Sequence, residues 1–259
     1  MMFDTGQTVT AGDARFFVSE AGNPSGPPIV LLHGGLGSRM DFEPLARHLA
    51  PEHRLVALDS RGHGQSTLGT APLSYRQLAE DVTAVLQQLG LTEAGIIGHS
   101  DGGIVGLRLA AAGVLRPRFL IAVGAHWHLP EDDPSRAIFR AATLARWREK
   151  FPDSVGRYEA ENPEPDFPRL FAATHAMWLD DGPDSYPGAT IRAITCPLLV
   201  IRGDEDFLVS RAQAFGLVEQ VKDARLLNLP FAGHGLLEDA PEDALPAITR
   251  FIAAARPSD

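Results

Sequence analysis

Ala94-Gly95-Ile96-Ile97-Gly98-His99-Ser100-Asp101-Gly102-Gly103-Ile104-Val105-Gly106-Leu107 reads as a strand, a turn and a helix in direct succession. A short apolar run enters, Gly98-x-Ser100-x-Gly102 turns the chain, and an Ala/Leu-rich segment (Leu107, Leu109, Ala110, Ala111, Ala112) leaves as a helix. A serine at so sharp a turn holds strained backbone, and a glycine two residues to either side removes the Cβ that would clash. The helix behind it aims free N–H groups and a positive dipole end at whatever the serine attacks. Ser100 is the candidate nucleophile, and the rest of the chain must supply its base, acid and oxyanion donors.

Working outward, short apolar runs alternate with helical patterns. A hairpin is expected around Ala11-Gly12-Asp13, and a strand at 29–32 after Pro27-Pro28. That strand ends in His33-Gly34-Gly35-Leu36-Gly37-Ser38, where so many glycines imply backbone close to a ligand. Ser38 with Asp41 three residues on marks a helix start, running to about residue 49. The strand at 54–58 leads into Asp59-Ser60-Arg61-Gly62-His63-Gly64. This loop lacks the third glycine and immediate helix of a dinucleotide site, so it reads as structural, with Asp59 and Arg61 pairing with each other or with nearby backbone. Ser74-x-x-Gln77 is a capping box opening a helix with Leu78, Val82, Val85, Leu86 and Leu89 on one face and Gly90 at its end. A further strand at 119–123 follows the Ser100 turn and its helix. Beyond the middle of the chain the alternation resumes with a strand running into Asp204-Glu205-Asp206, a helix near 211–220, a strand at 225–229 and Gly233-His234. A last helix spans about 241–255, and Pro246 predicts that it begins late or in two pieces. Strands alternating with helices predict an α/β fold: a mostly parallel sheet covered on both faces, with ligands bound beyond the C-terminal strand ends. His33, Asp59, Ser100 and Gly124 should converge on one mouth there.

Between residues 126 and 187 the alternation stops. Helices are expected at 135–150, capped by Ser135, and at 167–179, capped by Asp166, with a proline-punctuated stretch between them. This part holds nine of the chain's 19 aromatics, so it reads as a helical insertion (127–187) in a core of 1–126 and 188–259, lying over the strand ends as an apolar lid. Trp127, Trp147 and Trp178, with Leu36 and Phe207 from the core, are the candidate substrate-pocket residues.

Composition narrows the class. The chain has 259 residues, 44% hydrophobic and 22% charged, with net charge −10, the make-up of a soluble globular protein with a sizeable core. No basic cluster is present, so no nucleic-acid partner and no anionic membrane partner are expected. One cysteine, Cys196, rules out an intrachain disulfide and fits a reducing compartment. No secretory signal and no membrane-length apolar run are visible, so a cytoplasmic location is expected. His126-Trp127-His128 puts two imidazoles on one side of an extended segment. With no third ligand clustered in sequence, no metal site is expected, nor any cofactor.

A serine hydroxyl needs a base within hydrogen-bond reach, itself oriented by an acid. His234 follows the last strand, and Asp204, Glu205 and Asp206 follow the strand before it. Serine, acid and histidine then lie in the order of a nucleophile elbow and its partners. The backbone N–H groups of Gly35 and Asp101 are the candidate oxyanion donors. His99 reads as structural. The Asp101 side chain either hydrogen-bonds within the turn, the favoured reading, or attracts a substrate ammonium.

These residues carry a resemblance. His33-Gly34-Gly35, Asp59-x-Arg61-Gly62-x-Gly64-x-Ser66, Gly98-x-Ser100-x-Gly102, Gly203-x-x-Asp206 and Gly233-His234 resemble, in order, the motifs of the α/β-hydrolase-fold superfamily. The resemblance implies an eight-stranded-type sheet, a small helical cap, and Ser100, Asp206 and His234 as catalytic nucleophile, acid and base, with the family spacing selecting Asp206 over its neighbours. Ser100-Asp101-Gly102-Gly103 is similar to the biphenyl-hydrolase-like and amino-acid-ester hydrolase branch. Proline iminopeptidases are less similar, because Leu36 stands where they have proline and no Trp follows Ser100. The implied function is serine hydrolysis of a small carboxylic ester, lactone or amino-acid ester through an acyl-serine intermediate, with a small acyl molecule as substrate. C–C bond hydrolysis or cofactor-free perhydrolysis on the same triad is the alternative, and a non-catalytic binding protein the third class. Epoxide hydrolases and haloalkane dehalogenases use Asp where this chain has Ser100.

Overall fold

The computed structural model describes residues 1–255. Apolar runs too short for helices form eight strands: β1 (Gln7–Ala11), β2 (Ala14–Gly22), β3 (Pro28–Leu32), β4 (Arg54–Leu58), β5 (Gly95–His99), β6 (Phe119–Val123), β7 (Leu198–Gly203) and β8 (Ala224–Leu229). They make one sheet in the order β1-β2-β4-β3-β5-β6-β7-β8, antiparallel in the first two pairings and parallel in the rest. The helices are α1 (Glu43–Leu49), α2 (Tyr75–Gln88), α3 (Asp101–Ala112), α4 (Pro134–Ala141), α5 (Leu144–Lys150), α6 (Pro152–Glu161), α7 (Phe167–Leu179), α8 (Arg211–Gln220), α9 (Leu236–Asp239) and α10 (Pro241–Ala254).

The central strands are buried on both faces, which is why their sequences run apolar without alternation. Val30, Leu32 and Ile96 join one core with α2 and α3, while Ile29, Leu31 and Ile97 join a second with α1 and α10. Parallel pairing through β3, β5, β6 and β7 brings the loops after these strands to one edge of the sheet.

Several local expectations change. The helix expected over 135–150 is two, because Ala142 is extended and the Thr143 hydroxyl caps a fresh start at Arg146 N–H. Asp133, not Ser135, caps α4 and is followed by Pro134 at the first helical position. The proline-punctuated stretch holds a further helix, α6, which Pro152 opens rather than breaks. Pro246 neither delays nor splits α10. It lies on the solvent side with Glu242, where water can satisfy the carbonyl that loses its donor. Ser38 and Asp41 form a reciprocal capping box, but on a 3-10 turn (Arg39–Phe42) that precedes α1. Asp59 and Arg61 each bond nearby backbone, at Gln65 N–H and the Leu68 carbonyl, but they do not pair with each other: Asp59 binds Arg39, and Arg61 binds Asp81 and Asp13. Among the described residues, no helix is long and apolar enough to cross a membrane.

Candidate active site

Ser100 lies between β5 and α3 with φ 51° and ψ −117°, a conformation L-residues rarely adopt. Its flanking glycines are obligatory: a Cβ on Gly98 would lie 2.2 Å from the Gly102 carbonyl oxygen, and one on Gly102 would lie 1.9 Å from that of Leu32. The turn therefore packs backbone on backbone and leaves the serine hydroxyl at the sheet edge.

The loop after β8 brings His234 to that hydroxyl, with Nε2 at 3.1 Å from Ser100 Oγ. Its Nδ1 lies 3.0 Å from Asp206 Oδ2 in the loop after β7. The other Asp206 oxygen accepts the N–H groups of Leu208 (2.8 Å) and Val209 (2.9 Å). Burial opposes ionisation of Asp206, but the His234 contact and these amides outweigh it and hold the carboxyl below its ordinary range. Of the three acids after β7, Asp206 alone reaches His234, while Asp204 pairs with Arg211. Gly124 leaves room for this pair, since a Cβ there would lie 3.1 Å from the His234 ring.

Two further histidines serve as struts. His99 Nε2 lies 2.8 Å from the His234 carbonyl, so it carries the proton and donates. His33 Nδ1 donates to the Gly34 carbonyl at 2.7 Å while its Nε2 accepts from Ser60 N–H at 3.0 Å, pinning the glycine loop to the end of β4. Burial pushes both imidazoles down to about 4, which keeps them neutral near pH 7.

Asp101 is buried, and its carboxylate accepts from Tyr75 Oη (2.8 Å) and from Trp178 Nε1 (2.9 and 3.1 Å). Both oxygens are engaged by these neutral donors. Trp178 therefore reaches the elbow from α7, and Leu36 in the glycine loop is buried with φ 59°.

Of the remaining pocket candidates, Trp127 and Trp147 stand back from the elbow and Phe207 lies at the rim. Trp127 turns to α8, where its indole N–H donates to the Gln213 carbonyl and its ring faces Gly216. Trp147 forms a second layer, 5.7 Å from the Trp178 ring and 4.7 Å from Phe151. Phe207 is 57% exposed at the rim, its ring 6.0 Å from that of His234. A cavity of about 260 Å³ opens beside the glycine loop, between Leu36, Met40 and Pro44 and the titratable Asp41, Arg157 and Glu238. Of the pocket candidates only Leu36 lines it. Its other walls meet from α6 and the chain after His234, and no local pattern announces that convergence. Among the described residues, no three His, Cys, Asp or Glu side chains converge to hold a metal ion.

The profile of the alpha/beta hydrolase family matches residues 29–247. The chain is 29% identical over 237 residues to esterase YbfF of Escherichia coli, covering 87% of this chain and 92% of that one. It is 29% identical over 221 residues to serine hydrolase BPHL of Mus musculus, covering 80% and 73%. A solved meta-cleavage product hydrolase from Pseudomonas fluorescens superposes with a TM-score of 0.81 over 97% of this chain and 98% of that one, at 19% identity, a likeness of fold. The motifs, the sheet order and these likenesses agree: the chain belongs to the alpha/beta hydrolase family and is a hydrolase.

Proposed function

We propose that the protein is a serine hydrolase that cleaves small carboxylic esters through an acyl-Ser100 intermediate. The observation that carries this reading is the unbroken hydrogen-bonded line from Asp206 to His234 to Ser100, at 3.0 and 3.1 Å, ending on a serine held in strained backbone. Ser100 Oγ attacks the ester carbonyl carbon as its proton passes to His234 Nε2. The backbone N–H groups of Gly35 and Asp101 receive the oxyanion, and Asp206 stabilises the imidazolium. Collapse breaks the ester C–O bond, and the alcohol leaves with the proton from His234. Water then repeats the sequence on the acyl-enzyme, giving the carboxylic acid and free Ser100. In this reading residues 127–187 form a cap whose Trp178 walls the oxyanion side.

A fluorophosphonate probe tests the assignment. Wild-type protein should be labelled and should release p-nitrophenol from p-nitrophenyl acetate, whereas folded Ser100→Ala should do neither. Absence of labelling in folded wild type overturns the serine mechanism.

A further inference from the structure

We infer that the Asp101 carboxylate, held by Trp178 and Tyr75, is a positioning bridge that sets the two oxyanion donors relative to each other and makes the rate depend on how helix α7 docks. The inference rests on the serine-hydrolase reading above.

A carboxylate buried next to a nucleophile is expensive unless a cation pairs with it. Among the described residues no Lys, Arg or His forms an ion pair with Asp101, and its partners are a phenol and an indole. The two partners come from different parts of the fold. Tyr75 opens α2 of the core, and Trp178 lies near the end of α7, 77 residues away in sequence from Asp101. Tyr186 closes the arrangement: its hydroxyl donates to the Trp178 carbonyl at 2.9 Å, and its ring lies 5.0 Å from that of Tyr75. Burial first, and then the Asp101 charge, hold the Tyr75 phenol well above its ordinary range, so it remains a donor at any working pH.

The carboxylate also touches the opposite loop. A Cβ on Gly35 would lie 2.4 Å from Asp101 Oδ2 and 2.8 Å from Trp178 Cζ2, so the glycine backbone rests on the carboxylate and the indole together. Gly35 and Asp101 are the two candidate donors, and they belong to separate segments: Gly35 lies in the loop after β3, and Asp101 opens α3 just after β5. The bridge joins the two at the donors themselves, beside the backbone contacts of Gly102 with Leu32 and His33. Both carboxylate oxygens are engaged by these neutral donors, so a substrate ammonium at Asp101 would have to compete with Trp178 and Tyr75. Donors pre-set for an oxyanion act through their geometry, and small displacements of them are felt strongly in rate.

The test compares Trp178→Phe, Tyr75→Phe, Asp101→Leu and Asp101→Asn with wild type, on p-nitrophenyl acetate and with a trifluoromethyl ketone that forms a tetrahedral adduct on Ser100. Trp178→Phe should lower kcat by about tenfold or more while KM moves by less than about threefold, the pattern of an interaction used in the transition state. Ketone affinity should fall by the same factor. The Trp178→Phe/Tyr75→Phe double variant should lose less than the product of the single losses, because both act through one carboxylate. Oδ1 accepts from both donors, while the shorter Trp178 bond goes to Oδ2, where Asn places an NH2; Asp101→Asn keeps the Oδ1 acceptor and should recover part of what Asp101→Leu loses. Unchanged kcat and ketone affinity in Trp178→Phe, with an unchanged melting temperature, overturns the inference and leaves the serine mechanism standing. Asn as poor as Leu makes charge, not position, the property in use and overturns it too. If wild type is not labelled by a fluorophosphonate, the premise fails and the inference with it.

Discussion

Ser100 shows how much a fold can concentrate on one backbone position. Its φ of 51° is unfavourable for a residue with a side chain, and the surrounding contacts must hold it there. Gly102 is where they do so most tightly, because its missing Cβ would fall 1.9 Å from the Leu32 oxygen and 2.6 Å from that of His33. Both atoms belong to β3 and its exit loop, which cannot retreat without opening the sheet. Gly102→Ala should therefore cost about 3 kcal/mol or more, beyond ordinary overpacking. Gly106 on the same helix is the control. A Cβ there meets Leu120 Cδ1 at 2.8 Å, the end of a side chain that can rotate, and alanine favours the helix by about 1 kcal/mol. Gly106→Ala should stay within about 1 kcal/mol of wild type. Urea denaturation of the two variants checks the contrast, and equal costs would refute it.

Elements in this molecule are fastened by buried charges as well as by apolar packing. Arg61, 1% exposed in the loop after β4, donates twice to Asp81 on α2 at 2.7 Å and once to Asp13 in the β1–β2 hairpin at 2.5 Å. Arg61→Met would leave the Asp81 carboxylate buried with Gln77 as its remaining partner, and should cost about 3–5 kcal/mol in chemical denaturation. Adding Asp81→Leu should recover much of that loss, because the expense lies in the stranded charge. A single-variant cost under about 1 kcal/mol would contradict this account. The same region marks the limit of what sequence reveals. The strands, the Ser100 turn and the loops carrying His234 and Asp206 were legible because apolar runs, glycines and caps act over a few residues. Arg61 choosing Asp81 over Asp59 was not, since nothing local distinguishes two carboxylates at different distances along the chain. Nor was Trp178 on Asp101: α7 could be read from its cap and its apolar face, but its docking is a tertiary event. Helix α6 was missed because Pro152 reads equally well as a break or as a first helical residue.

On the scale of the whole molecule, the strand-end edge that carries the site is also where neutral histidines collect. Burial is the largest cause in each case, holding His33, His99 and His126 at about 4 and His63 at about 3, against 6.5 for an unperturbed imidazole. Below pH 6.5 the unfolded chain takes up protons that these folded sites refuse, so the stability they contribute above that pH is lost as pH falls toward 4. Buried carboxyls work the other way. Asp41 is raised to about 6, and Asp59 and Asp101 are raised as well, so they favour the folded state as pH falls through their folded values. The net slope is a difference between opposed groups, and a variant is needed to isolate one of them. His63 is the best choice: it is 2% exposed, its Nδ1 donates to the Arg61 carbonyl, and its buried Nε2 has no hydrogen-bond partner among the described residues. In His63→Asn the amide can keep the hydrogen bond to Arg61 but cannot titrate. Wild type should be the more stable at pH 7, and between pH 6.5 and pH 5 its advantage should shrink by about 2 kcal/mol, at 1.36 kcal/mol per pH unit for one proton. Urea melts of both proteins across this range measure the gap, and parallel stability curves would show that His63 titrates alike in the folded and unfolded chains.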